Sequence, residues 1–215
     1  MTDKPINIAV LVSGHGRGTN LQAIIDACEA GRIDGAVAVV VGVRDDAPAM
    51  DRGRNHNIPA IAIPPKSFSS DDEYDAALLK TLRDHQVDLI CLAGYMRVLG
   101  QSVIDEYRDR ILNVHPALIP MFCGKGMYGI HVHEAAIARG VKVSGCTVHF
   151  VDEDYDTGPI VLQRIVAVEP DDTPETLAAK ILPVEHQAYV EAIRVFAQGR
   201  VKVEGRRVRI HTPAG

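Results

Sequence analysis

Short apolar runs rich in β-branched residues alternate with amphipathic segments along the first half of the chain. The runs cover residues 6–12, 36–43, 58–63, 88–93 and 111–114. Strands that are apolar on both faces are typical of parallel sheets, because the crossover helices cover both sides of the sheet. The alternation therefore predicts an α/β fold, a Rossmann-like, mostly parallel twisted sheet with helices on both faces.

Helices are predicted between and after these runs. The first has apolar residues at helical spacing between residues 21 and 28, and Gly31 follows it in the usual stop position. The others are predicted at residues 47–56, 71–86, 101–107, 133–138 and 173–198. Pro59 places the third strand at a sheet edge, because proline has no N–H to donate to a neighbouring strand.

The pattern changes after Asn113. Residues 143–151 and 160–168 alternate apolar and polar side chains, which predicts an antiparallel or mixed addition to the sheet. An acidic turn at 152–159 joins these two strands and is expected beside the edge where the fifth strand ends. The whole chain, 1–215, is expected to form one domain, with 201–215 as a C-terminal tail that frays at its end.

Composition disfavours several classes of partner. Asp and Glu outnumber Lys and Arg by 28 to 23, a net charge of −5, which disfavours a nucleic-acid-binding surface. No apolar stretch reaches the length of a membrane span, so a cytoplasmic location and no membrane contact are expected. The four cysteines form no C-x-x-C pair, so neither a zinc ribbon nor a disulfide framework is predicted.

A glycine-rich loop separates the first strand from the first helix. Gly14, Gly16 and Gly18 allow backbone N–H groups to converge on an anion at the helix N-terminus, and Thr19 and Asn20 can add side-chain donors. A substrate phosphate is the favoured ligand. The alternatives are a purely structural turn and, with Asp45 as a ribose ligand, a dinucleotide site, although the spacing is G-x-G-x-G rather than G-x-G-x-x-G.

Polar residues that suit proton transfer follow the fifth strand. Asn113 and His115 are two residues apart and so share one face of that strand. Asp156 in the acidic turn is expected to approach the imidazole and raise the pKa of His115. His131 and His133 have no further ligand at suitable spacing, so no metal site is predicted.

Four ordered motifs stand out along the chain: the opening loop and helix at 13–28, LAGYMRVL at 92–99, LNVHPALIP at 112–120, and GCTVHFV at 145–151 with DTGPI at 156–160. Together they resemble the phosphoribosylglycinamide formyltransferase family. The resemblance covers roughly residues 6–200. It implies that 6–115 is a nucleotide- and phosphate-binding half and 116–200 a folate-binding and catalytic half.

The resemblance implies a specific reaction. The amine of glycinamide ribonucleotide would attack the formyl carbon of 10-formyltetrahydrofolate, the co-substrate, and no metal would take part. His115 would shuttle the proton, Asn113 would bind the same oxygen, and Asp156 would hold His115 charged.

Further residues are implied for the two substrates. Gly18, Thr19 and Asn20 would bind the phosphate of the ribonucleotide. Glu185 would lie near its amine. The folate would contact Asn113 and the segment Met96, Arg97, Val98 and Leu99, with Arg97 facing the glutamate carboxylates. No nucleic acid or membrane partner is implied, and a homodimer is left open.

The chain departs from the family pattern in three places. The loop at 14–20, which contains His15 and Arg17, is about two residues longer, and the segment at 122–129 is also longer. Asp71 stands where many members have a basic residue, so nearby Lys66 is the candidate replacement.

Other functions of the same fold remain as alternatives. They are another 10-formyltetrahydrofolate-dependent formyltransferase, a formyltetrahydrofolate hydrolase, and a non-catalytic nucleotide-binding module. A methionyl-tRNA formyltransferase would need an added RNA-binding domain and a basic surface. A binding module would need no proton shuttle, so the set Asn113, His115 and Asp156 favours an enzyme.

Overall fold

One mixed sheet of nine strands organises the computed structural model, which describes residues 4–14 and 16–212. The strands are β1 Ile6–Val12, β2 Gly35–Gly42, β3 Ala60–Ala62, β4 Leu89–Ala93, β5 Ile111–His115, β6 Val143–Phe150, β7 Ile160–Ala167, β8 Val201–Glu204 and β9 Arg207–Ile210. Their spatial order is β3-β2-β1-β4-β5-β6-β7-β9-β8.

Helices cover both faces of this sheet. They are α1 Thr19–Glu29, α2 Pro48–Asn55, α3 Asp71–Asp84, α4 Gln101–Glu106, α5 Ile130–Arg139 and α6 Pro174–Ala197, with a short 3-10 helix at Pro65–Ser67. Within the described residues, none of these helices combines the length and apolar character that a membrane span requires. All four cysteines are free thiols.

The first five strands are parallel, as the sequence predicts. β1 pairs with β2 on one side and with β4 on the other. Successive strands are therefore added first on one side of β1 and then on its other side. The short strand β3 lies at the sheet edge, and the carbonyl of Pro59 accepts a hydrogen bond from Val40 N at 2.8 Å. Pro59 thus takes part in the pairing through its carbonyl oxygen, although it has no N–H to donate.

The predicted antiparallel addition is also present. β6 runs antiparallel to β5, with Asn113 opposite His149 and His115 opposite Thr147, and β7 runs antiparallel to β6. The helix predicted at 133–138 begins earlier, at Ile130. Thr173 caps α6 as the sequence indicates, because its side chain accepts a hydrogen bond from Thr176 N.

The C-terminal segment corrects one expectation. Residues 201–210 are not a tail but a β-hairpin, and β9 extends the sheet by pairing in parallel with β7 at Ile160 and Arg207. The physical reason is the alternation of apolar and charged residues, which directs Val201, Val203 and Val208 onto the core. The end of the expected tail, 213–215, and residues 1–3 lie outside the described residues.

Two hydrophobic layers hold the helices on the sheet. One layer joins β1, β4 and β6 to α1 and α6, and the other joins β1 and β4 to α3 and α4. Tyr189 of α6 is fully buried, and its hydroxyl lies 3.0 Å from the carbonyl oxygen of Leu92 and 2.8 Å from that of Leu112. The helix therefore fixes the ends of β4 and β5 where the candidate site residues begin.

Candidate active site

Asn113, His115, His149 and Asp156 form one polar cluster on a face of β5 and β6. The side chains of Asn113 and His115 project from the same face of β5, and His149 faces Asn113 from β6. The Asp156 carboxylate completes the cluster, with oxygen atoms 3.7 Å from His115 Nδ1 and 3.6 Å from His149 Nε2. The structure thus brings together the three residues that the sequence singles out.

The acidic turn reaches this cluster by a different route from the expected one. Val151 N donates a hydrogen bond to Ile111 O, so the turn at 152–159 starts beside the amino end of β5, not beside its carboxyl end. The expectation was wrong because β6 is antiparallel to β5, which carries the chain back along β5 before the turn begins. The Asp156 side chain then returns to contact His149 and His115.

His115 is almost completely buried, with 5% of its side chain exposed. Its Nε2 lies 2.8 Å from the carbonyl oxygen of Phe122, and because a carbonyl only accepts, the proton of the neutral ring is on Nε2. Burial lowers the pKa of His115 below its usual value, although the Asp156 carboxylate and the Phe122 carbonyl act to raise it. The expectation that Asp156 holds His115 charged is therefore wrong, because desolvation outweighs the carboxylate.

Asp156 is held in a conformation that favours few residue types. Its φ is 56°, in the left-handed region, and its side chain is 13% exposed. Burial acts to raise the pKa of Asp156, but the His149 ring, the Gly124 N–H at 2.9 Å and His115 together hold it below its usual value. The carboxylate is accordingly charged at neutral pH.

His149 is a site residue to which the sequence assigned no role. Its Nδ1 lies 2.7 Å from the Phe150 carbonyl and so carries a ring proton, and its Nε2 lies 3.2 Å from Asn113 Nδ2. The sequence alone does not identify His149, because only the strand register places it opposite Asn113 and on the same face. His131 and His133 differ from each other, since His131 is exposed and pairs with Glu134, whereas His133 is buried.

A pocket adjoins the cluster, between the segment after β4 and the acidic turn. Its apolar wall consists of Leu92, Tyr95, Val98 and Leu99, and its polar wall includes Asn113, His149, Asp152 and Asp156. Of the predicted folate-binding segment, Val98 and Leu99 line this pocket, while Met96 is 54% exposed and does not.

Arg97 lies outside that pocket, in a neighbouring groove. Its guanidinium stacks 4.6 Å from the centre of the Tyr74 ring and donates a hydrogen bond of 2.8 Å to Asp71. Lys66 lines the same groove. Asp71, one of the positions where the sequence departs from the expected pattern, thus pairs with Arg97.

The glycine loop leads into α1 through Gly18, which has a φ of 69°. A Cβ at Gly18 would lie 2.8 Å from the Cβ of Ala49, so the position excludes larger residues on both conformational and steric grounds. Arg52 of α2 supports the loop by donating from Nε to the Arg17 carbonyl at 2.6 Å. Thr19 and Asn20 form the first turn of α1, and His15 lies outside the described residues.

Glu185 connects α6 to the glycine loop. It is buried, and its Oε2 lies 3.5 Å from Asn20 Nδ2. Burial raises the pKa of Glu185 to about 7, and the Asn20 amide acts against this rise. Asp45, the ribose ligand in the dinucleotide alternative, instead forms an ion pair with Arg54.

Comparison with known proteins identifies relatives for almost the whole chain. The formyl transferase family matches residues 6–193. The chain is 37% identical to the phosphoribosylglycinamide formyltransferase of Escherichia coli (strain K12) over 92% of this chain and 90% of that protein. It is 40% identical to the chloroplastic phosphoribosylglycinamide formyltransferase of Arabidopsis thaliana over 91% of this chain and 66% of that protein.

A solved structure extends the likeness to three dimensions. Glycinamide ribonucleotide transformylase 1 from Symbiobacterium toebii superposes with a TM-score of 0.90 at 48% identity, covering 96% of this chain and 94% of that one. The chain spans slightly less than two thirds of the length of its plant relatives, 66% in Arabidopsis thaliana. The chain belongs to the phosphoribosylglycinamide formyltransferase family, within the formyl transferases.

Proposed function

We propose that this protein transfers the formyl group of 10-formyltetrahydrofolate to the amine of glycinamide ribonucleotide, a step of purine biosynthesis. The observation that carries the proposal is the convergence of Asn113, His115 and Asp156 around one point beside a pocket, in a chain of this family. Formyl transfer needs a donor for a developing oxyanion and a group that moves a proton, and this cluster contains both.

The acceptor substrate would bind at the glycine loop. Gly18, Thr19 and Asn20 are at the N-terminus of α1, where unpaired backbone N–H groups and the positive end of the helix dipole favour a phosphate. Glu185 is next to Asn20 and would accept hydrogen bonds from the rest of the ribonucleotide, including its amine. Both ends of that substrate would then face the same edge of the sheet.

The donor substrate would bind in the pocket beside the cluster. Apolar side chains on one wall and carboxylate and amide groups on the other suit a flat heterocycle with polar edges. The pocket encloses about 90 Å³, less than the roughly 300 Å³ at the lower end of ligand sites. Binding would therefore require the pocket to widen, by movement of the segment after β4 or of the acidic turn. Arg97 and Lys66 line the adjacent groove and would meet the carboxylates of the glutamate tail.

The residues of the cluster have separate tasks. When bound, 10-formyltetrahydrofolate supplies the carbonyl that the amine attacks, so that charge develops on its oxygen. The Asn113 amide would donate a hydrogen bond to that oxygen, and its contact with His149 already orients it. The neutral His115 imidazole has a free electron pair on Nδ1 and would take the proton that the amine loses. Asp156, 3.7 Å from Nδ1, would stabilise the resulting cation. The imidazolium would return this proton to the folate nitrogen as the bond from that nitrogen to the formyl carbon breaks, which releases tetrahydrofolate and leaves the formyl group on the amine.

Three further predictions, on location, partners and metal, accompany this proposal. We predict a cytoplasmic location and small-molecule substrates as the partners, both of which agree with a metabolic transferase. A homodimer is left open. A reaction without a metal likewise stays a prediction. The Arabidopsis thaliana relative is described as chloroplastic, so compartment is a property to be measured separately.

The deciding experiment follows the folate product by absorbance with 10-formyltetrahydrofolate present, with and without glycinamide ribonucleotide. Product that forms only when the ribonucleotide is present, together with formylated ribonucleotide detected by mass spectrometry, is the expected result. Folate product that forms in the absence of glycinamide ribonucleotide would indicate a hydrolase. Binding of either substrate without product would indicate a non-catalytic module.

A further inference from the structure

The C-terminal hairpin ends in a two-residue turn beside the acidic turn. Glu204 pairs with Arg207 across the hairpin, and Arg207 pairs with Ile160, the first residue of β7. Gly205 and Arg206 therefore project toward the end of the acidic turn. The Nη2 of Arg206 donates a hydrogen bond of 2.6 Å to the carbonyl oxygen of Thr157.

This hydrogen bond acts on the residue next to Asp156. Asp156 has a left-handed backbone, with a φ of 56°, a conformation that residues with a side chain adopt only uncommonly. Such a conformation persists only where surrounding contacts hold the backbone. The carbonyl of Thr157 is a point where such a contact can fix the direction of the Asp156–Thr157 segment.

Other contacts fix the base of the turn. Thr157 Oγ1 donates to Asp152 Oδ1 at 2.6 Å, which ties the two ends of the turn together. A Cβ on Gly158 would lie 1.9 Å from the carbonyl oxygen of Phe150, so the chain passes very close to β6 there. The Arg206 contact differs because it reaches the turn from a separate element of the sheet.

The charges of the hairpin agree with this role. Lys202 and Arg209 both form ion pairs with Glu204 inside the hairpin. Arg206 instead extends to a turn that contains Asp152, Glu153, Asp154 and Asp156. The negative charges of that turn attract the Arg206 guanidinium and so strengthen its hydrogen bond.

We propose that Arg206 is a positioning residue for the candidate active site, because it holds the Asp156–Thr157 segment so that the Asp156 carboxylate stays in contact with His115 and His149. The inference rests on the proposed function to the extent that Asp156 acts in catalysis. It assigns a functional contact to residues beyond 193, where the family match ends.

The test compares Arg206→Ala, Arg206→Lys and Asp156→Asn with the matched control Arg209→Ala, all in the full chain. Arg206→Ala is expected to lower kcat about two- to fivefold, the effect of one exposed hydrogen bond from a charged group, with an unchanged KM for glycinamide ribonucleotide. Arg206→Lys should recover part of the loss, and Arg209→Ala should be unchanged. In the Asp156→Asn background, Arg206→Ala should have no further effect, since a positioning residue acts through its target.

A second readout needs no turnover. NMR titration of the His115 ring, which faces Asp156, His149 and His133, reports how closely the carboxylate approaches. Arg206→Ala and Asp156→Asn should both lower the pKa of His115, and Arg209→Ala should not. Equal titrations in wild type and Arg206→Ala, or an equal effect of Arg206→Ala with and without Asp156, would overturn the inference. Absence of formyl transfer in the wild type would count against the proposed function, and the titration would still decide the role of Arg206.

Discussion

The two halves of this sheet reach the same site by different physical means. In the parallel half, β1 to β5, every strand except the edge strand β3 is largely buried, and the loops at the carboxyl ends follow directly from local sequence. In the antiparallel half, β6 to β9, where only β9 pairs in parallel, the Asp156 carboxylate that meets His115 comes from a turn fixed by distant contacts. Asp156 is 41 positions from His115 along the chain, yet its carboxylate lies 3.7 Å from the imidazole.

This difference assigns a task to each half. The glycine loop of the parallel half is the proposed anion site, built mainly from backbone, and its geometry depends on Gly18 and α1. The acidic turn and the 116–129 segment, which follows β5, supply the groups that control the imidazole, Asp156 and the Phe122 carbonyl. We therefore expect changes in the glycine loop to affect substrate binding, and changes in the acidic turn, or in Asn113 and His115 at the end of β5, to affect the chemical step.

The largest expected effect is that of His115→Ala. Loss of the proton acceptor should lower kcat about 10²- to 10⁴-fold, while the KM for glycinamide ribonucleotide changes little because the glycine loop is untouched. Steady-state kinetics measure kcat and KM, and thermal unfolding shows whether the variant is folded. His115→Gln is the companion variant that keeps a donor toward Phe122. Rates near wild type in either variant would remove His115 from the mechanism.

The parallel half was predictable from the sequence because its signal is local. Buried strands and their helices appear as apolar runs and helical spacing, so the strand ends agree with the structure to within two or three residues. The hairpin at 201–210 was missed, since short alternating strands at a sheet edge have little apolar content and resemble an exposed tail. Its pairing with β7 depends on a single position, Ile160.

The candidate site was predictable in its residues but not in its electrostatics. Asn113, His115 and Asp156 could be chosen from motif and strand face. The direction of the His115 pKa could not, because burial of the ring by the 116–129 segment is a property of the whole fold. The placement of His149 beside Asn113 depends on strand register, which is fixed only once β6 pairs with β5.

Glu185→Gln tests the contact between the two halves, and its expected effect on stability is large. The pKa of Glu185 is about 7 in the folded chain and 4.5 for a free side chain, so the folded state binds a proton more tightly. Wild-type stability should then fall by about 3 kcal/mol as pH rises from 4.5 to above 7. The Gln variant should lack this slope and be the more stable protein at pH 8.

The control for this variant is Glu191→Gln, which changes an exposed carboxylate on the same helix. It should leave the slope of stability against pH unchanged. Denaturant unfolding at pH 5, 6.5 and 8 measures both variants. If the unfolding free energy of the wild type does not change over this pH range, Glu185 is charged in the folded state and its pKa is not raised.

Asp156→Asn should have a smaller effect, confined to the chemical step. Asparagine tolerates the left-handed backbone at this position, so the change removes the charge with little strain. We expect kcat to fall about 10- to 100-fold. Because the carboxylate raises the pKa of His115, its loss should lower that pKa further, so the rising limb of rate against pH should move to lower pH. An unchanged pH profile of kcat would separate Asp156 from the imidazole.

The smallest expected effect on turnover comes from the parallel half, where two glycines form a matched pair. Gly18 and Gly31 have φ values of 69° and 68°, but a Cβ would meet Ala49 at Gly18 and no atom within 4 Å at Gly31. Gly31→Ala should cost about 1 kcal/mol of unfolding free energy through backbone strain alone. Gly18→Ala should cost more and should raise the KM for glycinamide ribonucleotide, with kcat within about twofold of wild type, because it disturbs the anion site and not the cluster. Denaturant unfolding and steady-state kinetics of both variants make this comparison. A fall in kcat at Gly18→Ala as large as that at Asp156→Asn would mean that the glycine loop and the acidic turn do not divide binding from chemistry.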